Sequence, residues 1–284
     1  MFNYILYRFG QFIALSLPLK LAYRVAAFIS DAHYLFAWQD RKTVRENLKA
    51  IFPEKSKAEI SRIRLAMFRN FAKYLVDFFR FELMDKEYLR NNVHLENMHY
   101  FEEALSKGKG VVITTAHLGN WELGGVAMAL SGYSFYVVAL QHKHKIVDNF
   151  FNCQRESKGI KVIPLGKAAK KCLEVLKNNG MVALVGDRDF GNNGVVCDLF
   201  GKKTRLPQGP AAFALKTGAC ILPGFLLRNP DDSFILRMEK PIDFTDGGLK
   251  VRNTQEAIGV YRDIFEDYIR KYPDQWYMFK KFWI

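Results

Sequence analysis

The chemistry-bearing residues of this chain are set around one stretch, Val111-Val112-Ile113-Thr114-Thr115-Ala116-His117-Leu118-Gly119-Asn120-Trp121-Glu122. An apolar, β-branched run ends in His117, passes through Gly119 and Asn120, and opens into Glu122-Leu123-Gly124-Gly125-Val126-Ala127-Met128-Ala129-Leu130. The first part reads as a buried strand and the last as a small-residue helix. On one unbroken helix, His117 and Glu122 would point well apart, at about 100° per residue. A strand–loop–helix lets them converge, in the crevice beyond the strand ends where open α/β sheets place their chemistry. A histidine held by a carboxylate is the pair a general base needs, because the carboxylate fixes the tautomer and stabilises the imidazolium. No G-x-S-x-G elbow occurs, and no cysteine lies near this stretch. The proton is therefore taken from a substrate. A structural histidine beside a helix start, with Glu122 favourable at the dipole, accounts equally well for the two residues alone.

Asp187-Arg188-Asp189 also follows a strand-like run and should open on the same crevice. It reads either as a structural salt-bridge network or as a carboxylate that orients His117 beside an arginine for an anionic group. Two other stretches fail as motifs. Gly108-Lys109-Gly110 precedes a strand, whereas phosphate-binding glycine loops follow one. In His142-Lys143-His144-Lys145 the interleaved lysines read as a solvated basic loop and not a metal site, a loop placed soon enough after a strand end to face phosphates of a substrate.

The elements that must position these residues alternate from Phe101 onward. Strands are expected near 111–117, 135–140, 161–165, 181–186, 219–227 and 234–240, and helices near 121–130, 167–179, 209–217 and 253–271. This pattern predicts an α/β fold with a mostly parallel central sheet flanked by helices. Upstream, Ser56-Lys57-Ala58-Glu59 is a capping box opening a long helix with the apolar stripe Ile60, Ile63, Met67, Phe71, Tyr74 and Phe78. Asn253-Thr254-Gln255-Glu256 is a second capping box. The expected division is an apolar, basic N-terminal helical segment at 1–40, then a domain at 41–284 made of a helical annex (41–100) and an α/β core (101–284).

Phe9 to Leu19 carries no charge and is flanked by Arg8, Lys20 and Arg24. That is shorter than the ~20 apolar residues of a spanning helix, and reads as a membrane-interface helix or as a helix pair packed on the core. The 284 residues include 42 Lys+Arg against 29 Asp+Glu, a net charge of +13 that favours an anionic partner. Aromatic residues make up 14% of the chain, including 24 Phe, which suits contact with lipid. The closing Trp276, Tyr277, Phe279, Phe282 and Trp283, beside Lys280 and Lys281, have a composition that fits the same interface. The four cysteines show no C-x-x-C spacing and read as reduced core residues.

His117-Leu118-Gly119-Asn120-Trp121-Glu122 resembles the HX4(D/E) motif of the glycerolipid acyltransferase superfamily. The surrounding sequence is similar to the lipid A late-acyltransferase branch, which includes phosphatidylinositol-mannoside acyltransferases. Further matches follow in order: Arg155 with Gly159-Ile160-Lys161-Val162-Ile163, then Gly186-Asp187-Arg188-Asp189. Gly209-Pro210-Ala211, Lys216-Thr217-Gly218-Ala219 and Tyr272-Pro273-Asp274-Gln275-Trp276 complete the set, which spans most of the chain from Arg41 onward. The superfamily's acidic-Gly-Thr-Arg phosphate motif is absent; Asp187-Arg188-Asp189-Phe190-Gly191 stands in that region, as in the lipid A-type branch.

The resemblance implies an enzyme that moves a fatty acyl chain from a thioester of acyl carrier protein or coenzyme A to a hydroxyl of a glycolipid, a lipid A precursor first among them. It implies His117 as base, Glu122 as the carboxylate that holds it, and oxyanion donors around Asn120–Trp121. Asn120, Arg155, Asp187, Arg188 and Arg205 are the implied substrate contacts, with the arginines on phosphates. No metal, redox cofactor or nucleic acid is implied. The implied location is the inner membrane, N-terminally anchored or peripheral, with the site facing the cytoplasm. Thioester hydrolysis and non-catalytic binding of lipid or nucleic acid by the basic surface are the rival readings.

Overall fold

The computed structural model describes residues 2–191, 193–245 and 247–284. Helices come first: α1 (Phe2–Ser16), α2 (Leu19–Phe36), α3 (Trp38–Ile51), α4 (Lys57–Phe79) and α5 (Lys86–Asn92). Then follow β1 (Val93–Glu96), α6 (Met98–Ser106), β2 (Val111–Thr115), α7 (Trp121–Leu130), β3 (Phe135–Ala139), α8 (Lys145–Glu156) and β4 (Lys161–Pro164). The rest of the chain holds α9 (Ala168–Lys177), β5 (Met181–Val185), a hairpin of β6 (Val195–Leu199) and β7 (Lys202–Leu206), α10 (Gly209–Thr217), β8 (Cys220–Arg228), β9 (Phe234–Met238) and α11 (Thr254–Lys271).

Seven strands form one sheet in the order β1-β9-β8-β2-β5-β3-β4. The run from β8 to β4 is parallel throughout, whereas β9 turns back antiparallel on β8 and carries β1 beside it. Strands covered on both faces need apolar residues at every position, and all five of β2 and all nine of β8 are buried. Alternate residues feed two layers. Val112, Val182, Ile221 and Phe225 face the layer of α9, α10 and α11, while Val111, Ile113, Leu222 and Leu226 face that of α6, α7 and α8.

Helix α4 begins at a capping box in which Ser56 accepts from the Glu59 N–H and Glu59 accepts from the Ser56 N–H. It serves both layers: Met67, Phe68 and Tyr74 join one, Val76, Phe78 and Phe79 the other. At α11, Asn253 caps the Glu256 N–H, but the Glu256 carboxylate reaches the Arg252 N–H, one residue before the cap.

Helices α1 and α2 lie on this body. Ala22 and Tyr23 of α2 are buried against α4, and the Arg80 guanidinium donates to the carbonyls of Ala14 and Leu17 at the end of α1. No helix among the described residues is long and apolar enough to cross a membrane. The closing aromatics differ from expectation. Trp276, Tyr277 and Phe282 are core residues, because the segment after α11 runs back across the sheet end and pairs with the loop after β2. Of the cysteines, Cys172, Cys197 and Cys220 are buried, but Cys153 is exposed on α8.

Candidate active site

Strand register assembles the site. β2 and β5 are parallel neighbours with Thr115 opposite Val185, and the Gly186 N–H donates to the Thr115 carbonyl at 2.7 Å. Two residues beyond those partners stand His117 and Asp187, brought side by side at the carboxyl ends of the strands. The His117 Nδ1–H donates to Asp187 Oδ1 at 2.6 Å, and the His117 main-chain N–H donates to Oδ2 at 3.0 Å. Oδ2 also accepts from the Trp276 indole N–H at 3.0 Å. Burial alone would raise the Asp187 carboxyl, yet the charge of His117 and these N–H groups hold it below its ordinary 3.8. An ionised Asp187 needs a proton on Nδ1, which leaves Nε2 of His117 as the free basic nitrogen.

The turn after β2 is fixed from several sides. Gly119 has φ +65°, and a Cβ there would sit 2.0 Å from the Leu226 carbonyl oxygen, so only glycine fits. The Gly119 N–H donates to the Gln275 carbonyl, the Tyr277 N–H to the His117 carbonyl, and the Asn120 N–H to the Leu226 carbonyl. Asn120 then caps α7, its Oδ1 accepting from the Leu123 N–H at 3.0 Å. The N–H groups of Trp121 and Glu122, at the open start of α7, have no acceptor among the described residues.

Glu122 is engaged elsewhere than the imidazole expected for it. Its two oxygens take a bidentate fork from Arg155 of α8, Nη2 at 2.6 Å and Nε at 2.9 Å, with both side chains 11% exposed. Burial opposes the Arg155 charge, but Glu122 holds its guanidinium above its usual range. The expected Glu122–His117 contact is thus replaced by Asp187–His117 and Glu122–Arg155, two pairs side by side.

His117, Glu122 and Arg155 line one cleft of about 610 Å³, a size usual for a small-molecule site, with Asp187 buried behind the imidazole. Its depth passes between α7 and the sheet, past Gly124, Met128, Ile113, Ala183, Leu236 and Met238, and is apolar. Arg188 lines it too, its guanidinium 5.3 Å over the Phe190 ring, with no acceptor or carboxylate bonded to it among the described residues. Burial lowers its pKa, with Asp187 opposing. Asp189 closes its own loop, accepting from the N–H groups of Gly191 and Gly194.

Two other expected contacts take different places, and a residue of the basic loop joins the cleft. Asn120 is 1% exposed with both ends of its amide bonded, so it supports the turn and is not open to a substrate. Arg205 is exposed on β7 and lies outside the lining of the cleft. His142 does not belong to a solvated loop alone: it lines the cleft, stacked 4.7 Å from Phe151, and burial lowers its pKa. Tyr74 is a lining residue that sequence patterning placed only in an apolar stripe; its ring stacks on Trp121 at 4.7 Å.

The chain is similar to a phosphatidylinositol mannoside acyltransferase of Mycolicibacterium smegmatis, 29% identical over 98% of this chain and 90% of that one. A Mycobacterium tuberculosis protein of the same name is 28% identical over 91% of this chain and 82% of its own length. A lipid A biosynthesis acyltransferase of Haemophilus influenzae is 20% identical over 84% of this chain and 74% of its own. The family model described as bacterial lipid A biosynthesis acyltransferase matches residues 1–284. The chain therefore belongs to the bacterial lipid A biosynthesis acyltransferase family.

Proposed function

We propose that this enzyme transfers a fatty acyl chain from a thioester to a hydroxyl of a phosphorylated glycolipid, with His117 as general base. The observation that carries the reading is the His117–Asp187 pair at the edge of a cleft whose depth is apolar. Nε2 of His117 takes the proton of the acceptor hydroxyl while its oxygen bonds to the thioester carbonyl carbon. The tetrahedral intermediate collapses, the carbon–sulfur bond breaks, and the imidazolium returns the proton to the leaving thiolate. Asp187 balances the imidazolium charge throughout. The open N–H groups of Trp121 and Glu122 supply donors for the oxyanion. The acyl chain lies along Gly124 and Met128, and Arg188, the cation of the cleft not committed to a carboxylate, takes the acceptor's or carrier's phosphate.

Acceptor identity follows the relatives. The phosphatidylinositol mannoside acyltransferases are the more similar and favour a mannosylated phospholipid, while the family description and the Haemophilus relative favour a lipid A precursor. Acyl carrier protein and coenzyme A thioesters are both donors to test. The enzyme works at a membrane surface, seated by the outward side chains of its first helices. Ten of the large exposed apolar residues lie between Ile5 and Trp38, among them Phe9, Phe12, Phe28 and Phe36.

The test is acyl transfer by the purified enzyme from each donor to each acceptor, read by mass spectrometry. His117→Ala should lower turnover ~10²–10⁴-fold without loss of folding. Free fatty acid with no acylated lipid would make the protein a thioesterase, and full activity in His117→Ala would remove His117 from the chemistry.

A further inference from the structure

Beneath the His117 turn lies a buried polar node that the transfer chemistry does not use. Asp77, near the end of α4, is wholly buried. Its Oδ1 accepts from the Tyr23 hydroxyl of α2, and its Oδ2 accepts from Asn120 Nδ2 at 2.8 Å and from the Arg228 guanidinium of β8. Arg228 is braced in turn by Asp232 at 3.2 Å, which Lys73 also holds. The main chain of Arg228 is clasped by the Gln275 side-chain amide, and the Gln275 main-chain carbonyl accepts from the Gly119 N–H. Two branches of the node, one through Asn120 and one through Arg228 and Gln275, thus end on the turn between His117 and Leu123.

The key member is Asn120. Its Oδ1 must face the Leu123 N–H, so its Nδ2 must face an acceptor, and Asp77 is that acceptor. An amide flip would set two donors against one another at Leu123 and two acceptors at Asp77. The amide therefore has one orientation, which fixes where α7 begins relative to the end of β2. His117 lies three residues before Asn120 and Glu122 two residues after it. Buried ion pairs are weak contributors to stability, since removal from water opposes their attraction. Their gain here is the placement of one side chain.

We infer that Asp77 is a positioning residue for His117, acting through Asn120, and that Tyr23 completes its hold from the N-terminal helix α2. This rests on the proposed transfer reaction for its kinetic arm only. Tyr23→Phe keeps the ring and removes one O–H from the node. It should lower kcat about threefold to tenfold, the size of one net hydrogen bond, and leave KM for the donor unchanged. Asp77→Asn, which sets an amide N–H₂ or an amide oxygen of lower charge against Asn120 and Arg228, should lower kcat further in whatever fraction folds. Because Asp77→Asn can fail to fold, Tyr23→Phe decides, assayed where circular dichroism shows it fully folded. A second measurement needs no turnover: the rate at which diethylpyrocarbonate modifies His117, read by peptide mass spectrometry. Loosening the turn should speed that modification in Tyr23→Phe and leave the exposed His94 at its wild-type rate. Wild-type kcat in folded Tyr23→Phe, or an unchanged His117 modification rate, overturns the inference. If the wild-type enzyme transfers no acyl chain, the functional reading falls, and the modification rates still decide the role of Asp77.

Discussion

At the scale of single residues, the site divides two carboxylates between an imidazole and a guanidinium. Asp187 serves the imidazole and Glu122 serves Arg155. Asp187→Asn should therefore lower kcat ~10²–10⁴-fold, because an amide no longer balances the imidazolium or selects its tautomer. The same substitution has a stability signature. The folded Asp187 carboxyl lies below its ordinary 3.8, so it contributes stability in full above that pH and loses it as the pH falls further. The melting-temperature gap between wild type and Asp187→Asn should narrow below about pH 4. Glu122→Ala leaves the nearly buried Arg155 without its partner and should cost about 3–5 kcal/mol in urea unfolding. Replacing both by leucine should recover most of that loss, and no recovery would show that the pair is not a unit. His117 and Glu122 were legible as residues of one crevice, and the cluster at 187–189 as one source of a carboxylate for His117, but the Glu122–Arg155 pair was not. Which carboxylate meets the ring depends on the register of β2 against β5, a tertiary fact that no local pattern carries. Trp276 was read by composition as an interface aromatic, whereas its indole N–H holds Asp187.

Elements with a strong local signal were legible. The expected strands near 111, 135, 161, 181, 219 and 234 and the helices near 121, 167, 209 and 253 match the observed ones within a few residues. Each strand is a near-continuous apolar run, and each helix is either opened by an asparagine cap, as α7 and α11 are, or followed by a glycine, as α9 and α10 are by Gly180 and Gly218. The elements left out lack such signals. The β6–β7 hairpin is rich in charge, with Lys202, Lys203 and Arg205 exposed, and β1 is only four residues long. Helix α8 was hidden behind the basic run 142–145, although Val147, Phe150 and Gln154 form its buried face. That helix matters, since its last turn supplies Arg155. Gly119 gives the element-scale prediction. Gly119→Ala combines a left-handed φ with a Cβ driven into the Leu226 carbonyl, which must push the turn off β8. Activity should fall at least as far as in His117→Ala, and thermal unfolding should shift down. An active Gly119→Ala enzyme would show that the turn has room the structure denies it.

For the whole molecule, the first helices face two ways. The inner side of α2 buries Ala22 and Tyr23, and its outer side presents Leu21, Phe28, Ile29, Leu35 and Phe36. Deleting the segment would uncover core, so point changes on the outer side are the sound test. Phe12→Ser with Phe28→Ser and Phe36→Ser should reduce sedimentation with anionic vesicles and leave the melting temperature near wild type. Arg188→Lys keeps the +13 charge and should leave vesicle binding alone while raising KM for a phosphorylated substrate, because lysine lacks the planar fork. Wild-type kinetics in Arg188→Lys would return that arginine to the general basic field. The order in which the site's parts occur along the chain also has a consequence in time. Asp187 follows His117 by 70 residues, and Trp276 follows Asp187 by a further 89. A ribosome adding about 5–20 residues per second takes several seconds or more over each interval. While the chain is being made, the imidazole exists for that whole period without the carboxylate and strap that orient it in the finished fold. The proposed chemistry would therefore start only when the last segment is in place.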